Sequence, residues 1–292
     1  MGVILLVKEA MYYLKKDNDV VQCILCPHGC VISPGNKGIC RVRLNYNGIL
    51  RSINYGLCTA LAIDPIEKKP LFDFFPGFSI LSVGTFGCNL KCSFCQNWEI
   101  AHGEHPTKYE ITPKELADLA EKHKVNESIG IAYTYSEPLM WYEFVLDGCK
   151  EIKKKDLKNV LVSNGYINEE PLEELLPFID GANIDIKAFN QTFYPKMCKG
   201  KLDPVLKTVE MVASKCHVEV TTLVIPEEND ALEEIEELAR WLKSISPSIS
   251  LHLTRYFPNY QLNLPPTPIK TLEKAREVAM RHLGKVYLGN VP

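Results

Sequence analysis

The chain has 292 residues, of which 46% are hydrophobic and 24% are charged, and its formal net charge is -3. This length and composition indicate a globular protein with one large core and a smaller appendage. The slightly acidic charge provides no general attraction for phosphate backbones, so nucleic-acid binding is not expected. The early apolar stretch Val3 to Val7 is too short for a membrane span or a secretory signal, so we predict a cytoplasmic protein without membrane contact.

From residue 79 onward, β-rich runs alternate with helical patterns. The predicted strands are Ser79 to Val83, Ser128 to Tyr133, Asn159 to Val162, Ala182 to Ile186, His217 to Val224 and Ser250 to Leu253, followed by a short strand at Lys285 to Leu288. The predicted helices begin with the capping box Thr112-Pro113-Lys114-Glu115 and continue at Leu139 to Lys154, Glu169 to Leu176, Pro204 to Lys215, Leu232 to Lys243 and Ile269 to His282. Six strand–helix units predict parallel strands joined by right-handed crossovers.

Six units are fewer than the eight that close a full barrel. We therefore predict an α/β fold with a partial (β/α)6 barrel of the TIM type, and an open doubly wound sheet is the alternative. Residues 1–75 differ in character, because they are rich in cysteine and in turns such as Pro34-Gly35 and Asn47-Gly48. We predict that 1–75 form a small cysteine-rich N-terminal element and that 76–292 form the barrel.

Three cysteines follow the first predicted barrel strand. The spacing of Cys88, Cys92 and Cys95 places three thiols on one short loop. A [4Fe–4S] cluster usually takes four cysteine ligands, so a loop with three leaves one iron open. The alternatives are a structural zinc site with a distant fourth ligand, or buried thiols without a metal. Zinc knuckles usually carry two Cys-x2-Cys pairs, so this single triplet favours the cluster.

A second set of four cysteines lies in the N-terminal element. Cys23, Cys26, Cys30 and Cys40 are separated by two, three and nine residues, and a turn-rich segment can fold such a set around one metal. Four thiolates close a site, which is typical of structural zinc. An auxiliary iron–sulfur cluster and metal-free thiols are the other interpretations. The remaining cysteines are scattered and are predicted to be packed thiols: Cys58, Cys149, Cys198 and Cys216.

Polar motifs follow the next three predicted strands. They are Ser136-Glu137-Pro138, Ser163-Asn164-Gly165 and Asp185-x-Lys187. Functional residues of parallel α/β proteins lie at the carboxyl ends of the strands. We therefore expect these motifs to meet the three-cysteine loop on one face of the sheet.

With these motifs, the chain resembles the radical S-adenosylmethionine (radical SAM) superfamily, and within it the activases of glycyl-radical enzymes. The resemblance rests on the Cys-x3-Cys-x2-Cys loop, with the aromatic Phe94 before its third cysteine, and on the strand-end motifs. It implies that the three cysteines bind a [4Fe–4S] cluster whose fourth iron is chelated by SAM. One-electron reduction then cleaves SAM to methionine and a 5'-deoxyadenosyl radical, which abstracts hydrogen from a substrate.

The resemblance also implies SAM contacts. Tyr135-Ser136-Glu137-Pro138 matches a Gly-Gly-Glu-Pro segment of the family, so Glu137 is expected to accept from the SAM ammonium, while Tyr135 and Ser136 replace the glycines. A structural salt bridge is the alternative role for Glu137. Ser163 and Asn164 are expected near the ribose.

Further contacts are implied at the later strand ends. Lys187 is expected to neutralise the SAM carboxylate, and Asp185 to hold the ribose or to order Lys187. Leu223 to Pro226 and Arg255-Tyr256 are expected near the adenine.

Within the superfamily, the chain resembles the radical SAM component of the AmmeMemoRadiSam system. That similarity rests on Cys23-x2-Cys26-Pro27-His28-Gly29-Cys30, Asp64-Pro65-Ile66-Glu67-Lys68-Lys69-Pro70-Leu71, Cys95-Gln96-Asn97-Trp98-Glu99-Ile100 and Tyr133-Thr134-Tyr135-Ser136-Glu137-Pro138. The resemblance to the activases implies a one-electron donor of the flavodoxin or ferredoxin type and a protein substrate that acquires a glycyl radical. Radical modification of a small molecule, protein or RNA is the alternative. A non-catalytic iron–sulfur or zinc electron-transfer or interaction protein is an alternative of another class.

Overall fold

The computed structural model describes residues 7–103 and 109–292. Most of the apolar stretch Val3 to Val7 therefore lies outside the described residues. Within the described ranges, no helix combines the length and the apolar character needed to cross a membrane.

The strands of the described residues are numbered β1 to β16 in chain order. They are Lys8–Glu9, Tyr13–Lys15, Val21–Cys23, Val31–Ile32, Arg43–Tyr46, Ile49–Ser52, Leu57–Cys58, Ala60–Pro65, Ser79–Gly84, Tyr109–Glu110, Ser128–Tyr133, Lys158–Ser163, Gly181–Asp185, His217–Val224, Ser250–Arg255 and Val286–Gly289. The helices α1 to α7 are Trp98–His102, Pro113–Lys122, Tyr142–Lys153, Glu169–Leu175, Asp203–Ala213, Leu232–Ile245 and Ile269–Ala279.

Eight strands form the main sheet, in the order β16-β15-β14-β13-β12-β11-β9-β8. All neighbours from β9 to β16 are parallel, and β8 is antiparallel to β9. In the described part of the chain the edge strands β8 and β16 do not pair with each other, so the sheet stays open. The predicted α/β fold with six strand–helix units is therefore confirmed, and the open edges agree with a partial barrel.

The predicted elements agree with the structure to within a few residues, including the capping box at the start of α2. Thr112 Oγ1 accepts from the Glu115 amide at 3.2 Å, and the Glu115 carboxylate accepts from the Thr112 amide at 2.8 Å. The helix predicted from Leu139 starts later, because Pro138–Trp141 first forms a 3-10 turn. Strand β8 and helix α1 were not predicted. The β8 sequence Ala-Leu-Ala-Ile-Asp-Pro does not alternate apolar with polar residues, so it gave no strand signal. None of its residues is fully buried.

The N-terminal element contains two small antiparallel sheets, β1-β6-β5 and β2-β3-β4. Its buried residues, such as Val21 and Leu50, belong to the same apolar cluster as Leu81 and Val83 of β9. Strand β8 also comes from before residue 75 and yet pairs in the main sheet. The division at residue 75 stays a prediction, and the described contacts place the N-terminal element directly against the cysteine loop that follows β9.

Candidate active site

A cavity of about 350 Å³ lies at the carboxyl ends of the main-sheet strands. Its walls include all three cysteines of the loop after β9 and residues of the three polar motifs that follow β11, β12 and β13. The predicted residues that line it are Cys88, Cys92, Phe94, Cys95, Tyr135, Ser136, Glu137, Ser163, Asn164, Asp185, Lys187 and Leu223. The topology of the sheet therefore brings together residues that are far apart in the chain, from Cys88 to Leu223.

Backbone hydrogen bonds hold the cysteine loop. The Lys91 amide donates to the Cys198 carbonyl at 2.8 Å, and the Ser93 amide donates to the Met197 carbonyl at 3.0 Å. Both acceptors belong to a turn of π-helix, Tyr194–Cys198, a conformation that occurs frequently at functional sites. These two bonds flank Cys92 and fix its position in the cavity wall.

Gly87, directly before Cys88, sets the entry of the loop. It has φ +92°, and a Cβ there would lie 2.5 Å from Val42 Cγ1 and 2.9 Å from the Cys40 carbonyl oxygen. Only glycine meets both requirements, a left-handed backbone and close contact with the N-terminal element. The N-terminal element therefore helps to set the start of the loop.

The three loop thiols have different surroundings. Burial, followed by the charge of Glu137, raises the pKa of Cys88, and burial raises the pKa of Cys95 to about 11. Cys92 accepts a hydrogen bond from the Cys198 thiol, which lowers the pKa of Cys92. Cys198 was predicted to be a packed thiol, and the structure places it beside a loop cysteine. Phe94 is buried and packs on Phe193, with ring centroids 5.9 Å apart.

Glu137 lines the cavity and is otherwise buried, with 1% of its surface exposed. One carboxylate oxygen accepts from the Leu139 amide at 3.0 Å and from Ser163 Oγ at 2.7 Å, and the other accepts from the Asn164 amide at 2.9 Å. Burial raises the pKa of Glu137 to about 7. A carboxylate has about four acceptor positions, so these three bonds leave one for a ligand.

The Ser163-Asn164-Gly165 motif connects this carboxylate to the cysteine loop. Asn164 Nδ2 lies 3.6 Å from Cys88 Sγ and donates to Asn89 Oδ1 at 3.0 Å. Gly165 has φ +67°, and a Cβ there would lie 2.9 Å from Ile184 Cγ2. The Asn164 amide thus orients the cysteine loop, and its expected proximity to the SAM ribose stays a prediction.

Tyr135 and Ser136 occupy the positions where the resembling family has glycines. Tyr135 has φ +74°, a left-handed conformation that is uncommon for a non-glycine residue. Its hydroxyl donates to Asp64 at 3.1 Å, and its carbonyl accepts from Asn97 Nδ2 at 2.6 Å. Ser136 Oγ donates to the Thr85 carbonyl at 2.6 Å. Side-chain contacts therefore hold the backbone in the shape that glycine adopts freely.

Asp185 and Lys187 form an ion pair of 2.8 Å at the end of β13. Burial opposes the charge on Lys187, but Asp185 and the neighbouring Cys92 outweigh it and raise the pKa of Lys187. Lys187 is therefore a permanent cation in the cavity wall. The expected role of Asp185, to hold the ribose or to order Lys187, stays a prediction.

Sequence patterns assigned no role to some residues in and behind the cavity wall. Lys69 lies behind the cavity residue Tyr135: it is 4% exposed, pairs with Asp64 at 2.8 Å and lies over the Tyr135 ring at 4.8 Å. Thr221 lines the cavity, and its buried hydroxyl has no hydrogen-bond partner among the described residues. Lone strand residues such as Thr221 give no motif that would have revealed them.

The residues expected near adenine divide into two groups. Leu223 lines the cavity. Arg255 instead donates to the Thr267 carbonyl at 2.8 Å, and the Tyr256 hydroxyl donates to the Leu262 carbonyl at 2.7 Å. Neither Arg255 nor Tyr256 is among the residues that line the cavity, and Thr254 of β15 lies there instead.

The four N-terminal cysteines line a separate small cavity, together with His28, Arg43 and Asn89. Cys23, Cys26 and Cys40 are buried, and all four thiols are free of disulfide bonds. Across the described ranges, no three His, Cys, Asp or Glu side chains are arranged closely enough to hold a metal ion as they stand. Metal binding by either cysteine set would therefore include a local adjustment of its loop, as is common where metal binding is coupled to folding.

Comparison with known proteins decides the family. A sequence profile described as the Radical SAM superfamily matches residues 82–242, more than half of the chain. The chain belongs to the radical SAM superfamily. Membership in this superfamily implies an enzyme that uses a [4Fe–4S] cluster and SAM, and it confirms the predicted resemblance at that level.

Similar proteins agree with this membership. An uncharacterised protein of Methanocaldococcus jannaschii, MJ0808, is 42% identical over 98% of this chain and 86% of its own length. The pyruvate formate-lyase-activating enzyme of Clostridium pasteurianum is 30% identical over 66% of this chain and 81% of its own length. The crystal structure of a radical SAM methyltransferase from Sphaerobacter thermophilus has a TM-score of 0.57, with 12% identity, over 97% of this chain and 76% of its own. This last likeness concerns the fold alone, and the similarity to the AmmeMemoRadiSam component stays a prediction.

The residues in the cavity fit the two implied cofactors. Three thiols on one loop supply three of the ligands that a [4Fe–4S] cluster needs. Glu137 retains an acceptor position, and Lys187 supplies a cation close to the same loop. The alternative of a non-catalytic carrier is set aside, because the superfamily and its activating-enzyme relatives indicate an enzyme.

Proposed function

We propose that this enzyme reductively cleaves SAM at a [4Fe–4S] cluster bound by Cys88, Cys92 and Cys95, and that it abstracts a hydrogen atom from a protein substrate. When bound, the cluster and SAM supply a one-electron cleavage that yields methionine and a 5'-deoxyadenosyl radical. The observation that carries the proposal is the cavity that combines the three thiols with Glu137 and Lys187.

The protein's own residues would bind and orient SAM. Glu137 would accept a hydrogen bond from the SAM ammonium at its remaining acceptor position, because a buried carboxylate stabilises a cation strongly. Lys187 would lie against the SAM carboxylate, while Asp185 keeps the lysine in place through the 2.8 Å ion pair. The Thr221 hydroxyl, which lacks a partner among the described residues, would donate to the ligand deeper in the cavity.

A protein substrate is the favoured class because the relatives include a pyruvate formate-lyase-activating enzyme. The structure supports this choice with a second cavity of about 530 Å³, lined by Lys37, Arg41 and Arg51 among apolar side chains. Ala101 contributes to the walls of both cavities. A segment of a macromolecule bound at the basic cavity would therefore lie next to the SAM site. By resemblance to the activases, the site of abstraction would be a backbone glycine.

Two further components belong to this proposal. The reaction needs a one-electron donor, for which a flavodoxin or a ferredoxin is the expected type. The four N-terminal cysteines would hold a second metal, either zinc or an auxiliary iron–sulfur cluster.

Anaerobic turnover tests the proposed function. The reconstituted enzyme is mixed with SAM and dithionite, and 5'-deoxyadenosine is quantified by liquid chromatography. We expect product from the wild type and none above background from Cys92→Ala, while Cys216→Ser, which changes a cysteine outside both sets, keeps the wild-type yield. Equal yields from wild type and Cys92→Ala would refute the assignment. Deuterium transfer from a labelled substrate into 5'-deoxyadenosine would then identify the hydrogen donor.

A further inference from the structure

The four N-terminal thiols are arranged around one small cavity outside the SAM site. Cys23 ends β3, Cys26 and Cys30 lie in the turn between β3 and β4, and Cys40 precedes β5. The Cys23 amide donates to the Cys30 carbonyl at 2.9 Å, which closes this turn. All four side chains line the same cavity although they come from two separate turns.

Arg43 lines this cavity and is buried, with 1% of its surface exposed. Its Nη1 donates to Glu143 at 2.7 Å, but Nε and Nη2 have no partner among the described residues. A buried N–H group without an acceptor is costly, and charged donors cost the most. The lining of this cavity includes Cys23 and Cys40, whose sulfur atoms accept hydrogen bonds when the thiols are ionised.

We propose that Cys23, Cys26, Cys30 and Cys40 bind one metal centre as thiolates, and that Arg43 stabilises this centre by donating hydrogen bonds from Nε and Nη2 to the sulfurs. Four thiolates around zinc, or around an oxidised [4Fe–4S] core, leave a net negative charge in a buried place. A guanidinium that is already buried offsets that charge without further desolvation. The thiolate sulfurs of the metal centre would thus accept the hydrogen bonds that Nε and Nη2 of Arg43 do not make within the described residues.

The metal centre also supports the catalytic loop. Asn89, the residue after Cys88, lines the four-cysteine cavity, and its carbonyl accepts from His28 Nε2 at 2.8 Å. Its side-chain oxygen accepts from Asn164, whose backbone amide donates to Glu137. Gly87 packs against the Cys40 carbonyl on the other side of Cys88. A change around Cys26 or Cys40 is therefore transmitted to both flanks of Cys88.

Metal analysis in a Cys88→Ala, Cys92→Ala, Cys95→Ala background tests this site separately from SAM chemistry. Circular dichroism and the elution volume in size-exclusion chromatography show whether this protein is folded. The single Cys92→Ala variant provides a second protein for the same measurement. We expect about one metal centre per chain to remain, either zinc alone or iron with acid-labile sulfide, and either result supports the site. Cys26→Ser or Cys40→Ser added to this background removes the metal, whereas Cys216→Ser retains it. The proposal is overturned if the folded triple-alanine protein contains neither zinc nor iron. It is also overturned if the metal is retained when Cys26 and Cys40 are both replaced.

The role of Arg43 is tested by metal release to a chelator. Arg43→Met is expected to release the metal at least tenfold faster than Arg43→Lys, which keeps the positive charge. Equal release rates for these two variants would exclude a role for the charge.

The coupling to the catalytic loop is tested by SAM affinity in the anaerobically reconstituted enzyme. Cys26→Ser is expected to weaken SAM binding at least fivefold, and Cys216→Ser is expected to leave it unchanged. Unchanged SAM affinity in a Cys26→Ser enzyme that has lost the second metal would show that the two sites are independent.

Discussion

Glu137→Gln gives the sharpest test of the site, because the substitution keeps the shape of the side chain and removes its charge. The carboxylate accepts three hydrogen bonds within the protein and has one acceptor position left for the SAM ammonium. A hydrogen bond between charged groups contributes about 1.5–3 kcal/mol. Its loss therefore predicts SAM binding that is weaker by about 10- to 150-fold.

The stability of the Glu137→Gln protein is expected to change less than its SAM affinity. The glutamine amide nitrogen cannot accept from Asn164 or Ser163, which costs about 1–3 kcal/mol. The substitution also removes the free-energy cost of burying the Glu137 charge, which partly offsets the lost hydrogen bond. The raised pKa of Glu137 reflects this cost. The cluster-loaded variant should therefore fold and retain iron.

Isothermal titration calorimetry of SAM under anaerobic conditions measures the predicted effect. Glu236→Gln is the matched control, since this carboxylate lies on α6 and pairs with His282 at 3.0 Å on the outer surface. SAM affinity within twofold of wild type, in a Glu137→Gln protein with full iron content, would refute the assignment of Glu137 to the ammonium.

Three further predictions concern other parts of the structure. Gly87→Ala should lower the iron content after reconstitution, because the added Cβ would lie 2.5 Å from Val42. Gly284→Ala is the control, since open space surrounds Gly284, and its iron content should stay at the wild-type value. Equal iron contents in the two variants would contradict this prediction. Lys187→Met should weaken SAM binding by about tenfold and Lys187→Arg by less, and calorimetry that finds the two alike would argue against a charge contact. Burial raises the pKa of Glu219, but hydrogen bonds from His217, His252 and backbone amides outweigh it and lower the pKa to about 2. Ionised Glu219 therefore adds about 3 kcal/mol to the free energy of unfolding above pH 4.5, and this contribution is lost as the pH falls towards 2. Melting curves of Glu219→Gln should therefore differ most from wild type near pH 7, and a difference that does not shrink in acid would count against this account.

The strand and helix pattern was readable from the sequence because it depends on local periodicity. Strands β9 and β11 to β15 are runs of mostly buried neighbouring residues, and the capping box of α2 lies within four positions of the chain. The three-cysteine loop and the strand-end motifs are equally local. The rule that parallel strands present their carboxyl ends on one face then brought these motifs together correctly.

Strand β8 and the residues missed in the cavity were decided by tertiary contacts. The segment Ala60–Pro65 is a strand because it pairs along β9, although its own pattern of exposure is that of a surface segment. Asp64 and Lys69 belong to a motif that the sequence shows, but only the fold reveals that they pair with each other beside Tyr135. Burial of a polar group depends on what the rest of the chain places over it.

The sequence by itself thus determined the order of the elements, the family resemblance and the residues that bear thiol and carboxylate chemistry, because each is written in short stretches of chain. The tertiary structure alone decided how these groups are connected. Arg43 meets Glu143 across a hundred residues, and Asn89 meets Asn164 across seventy-five. Such contacts leave no periodicity or spacing in the sequence, since hydrogen bonds and ion pairs form between whichever groups the packed core brings within reach.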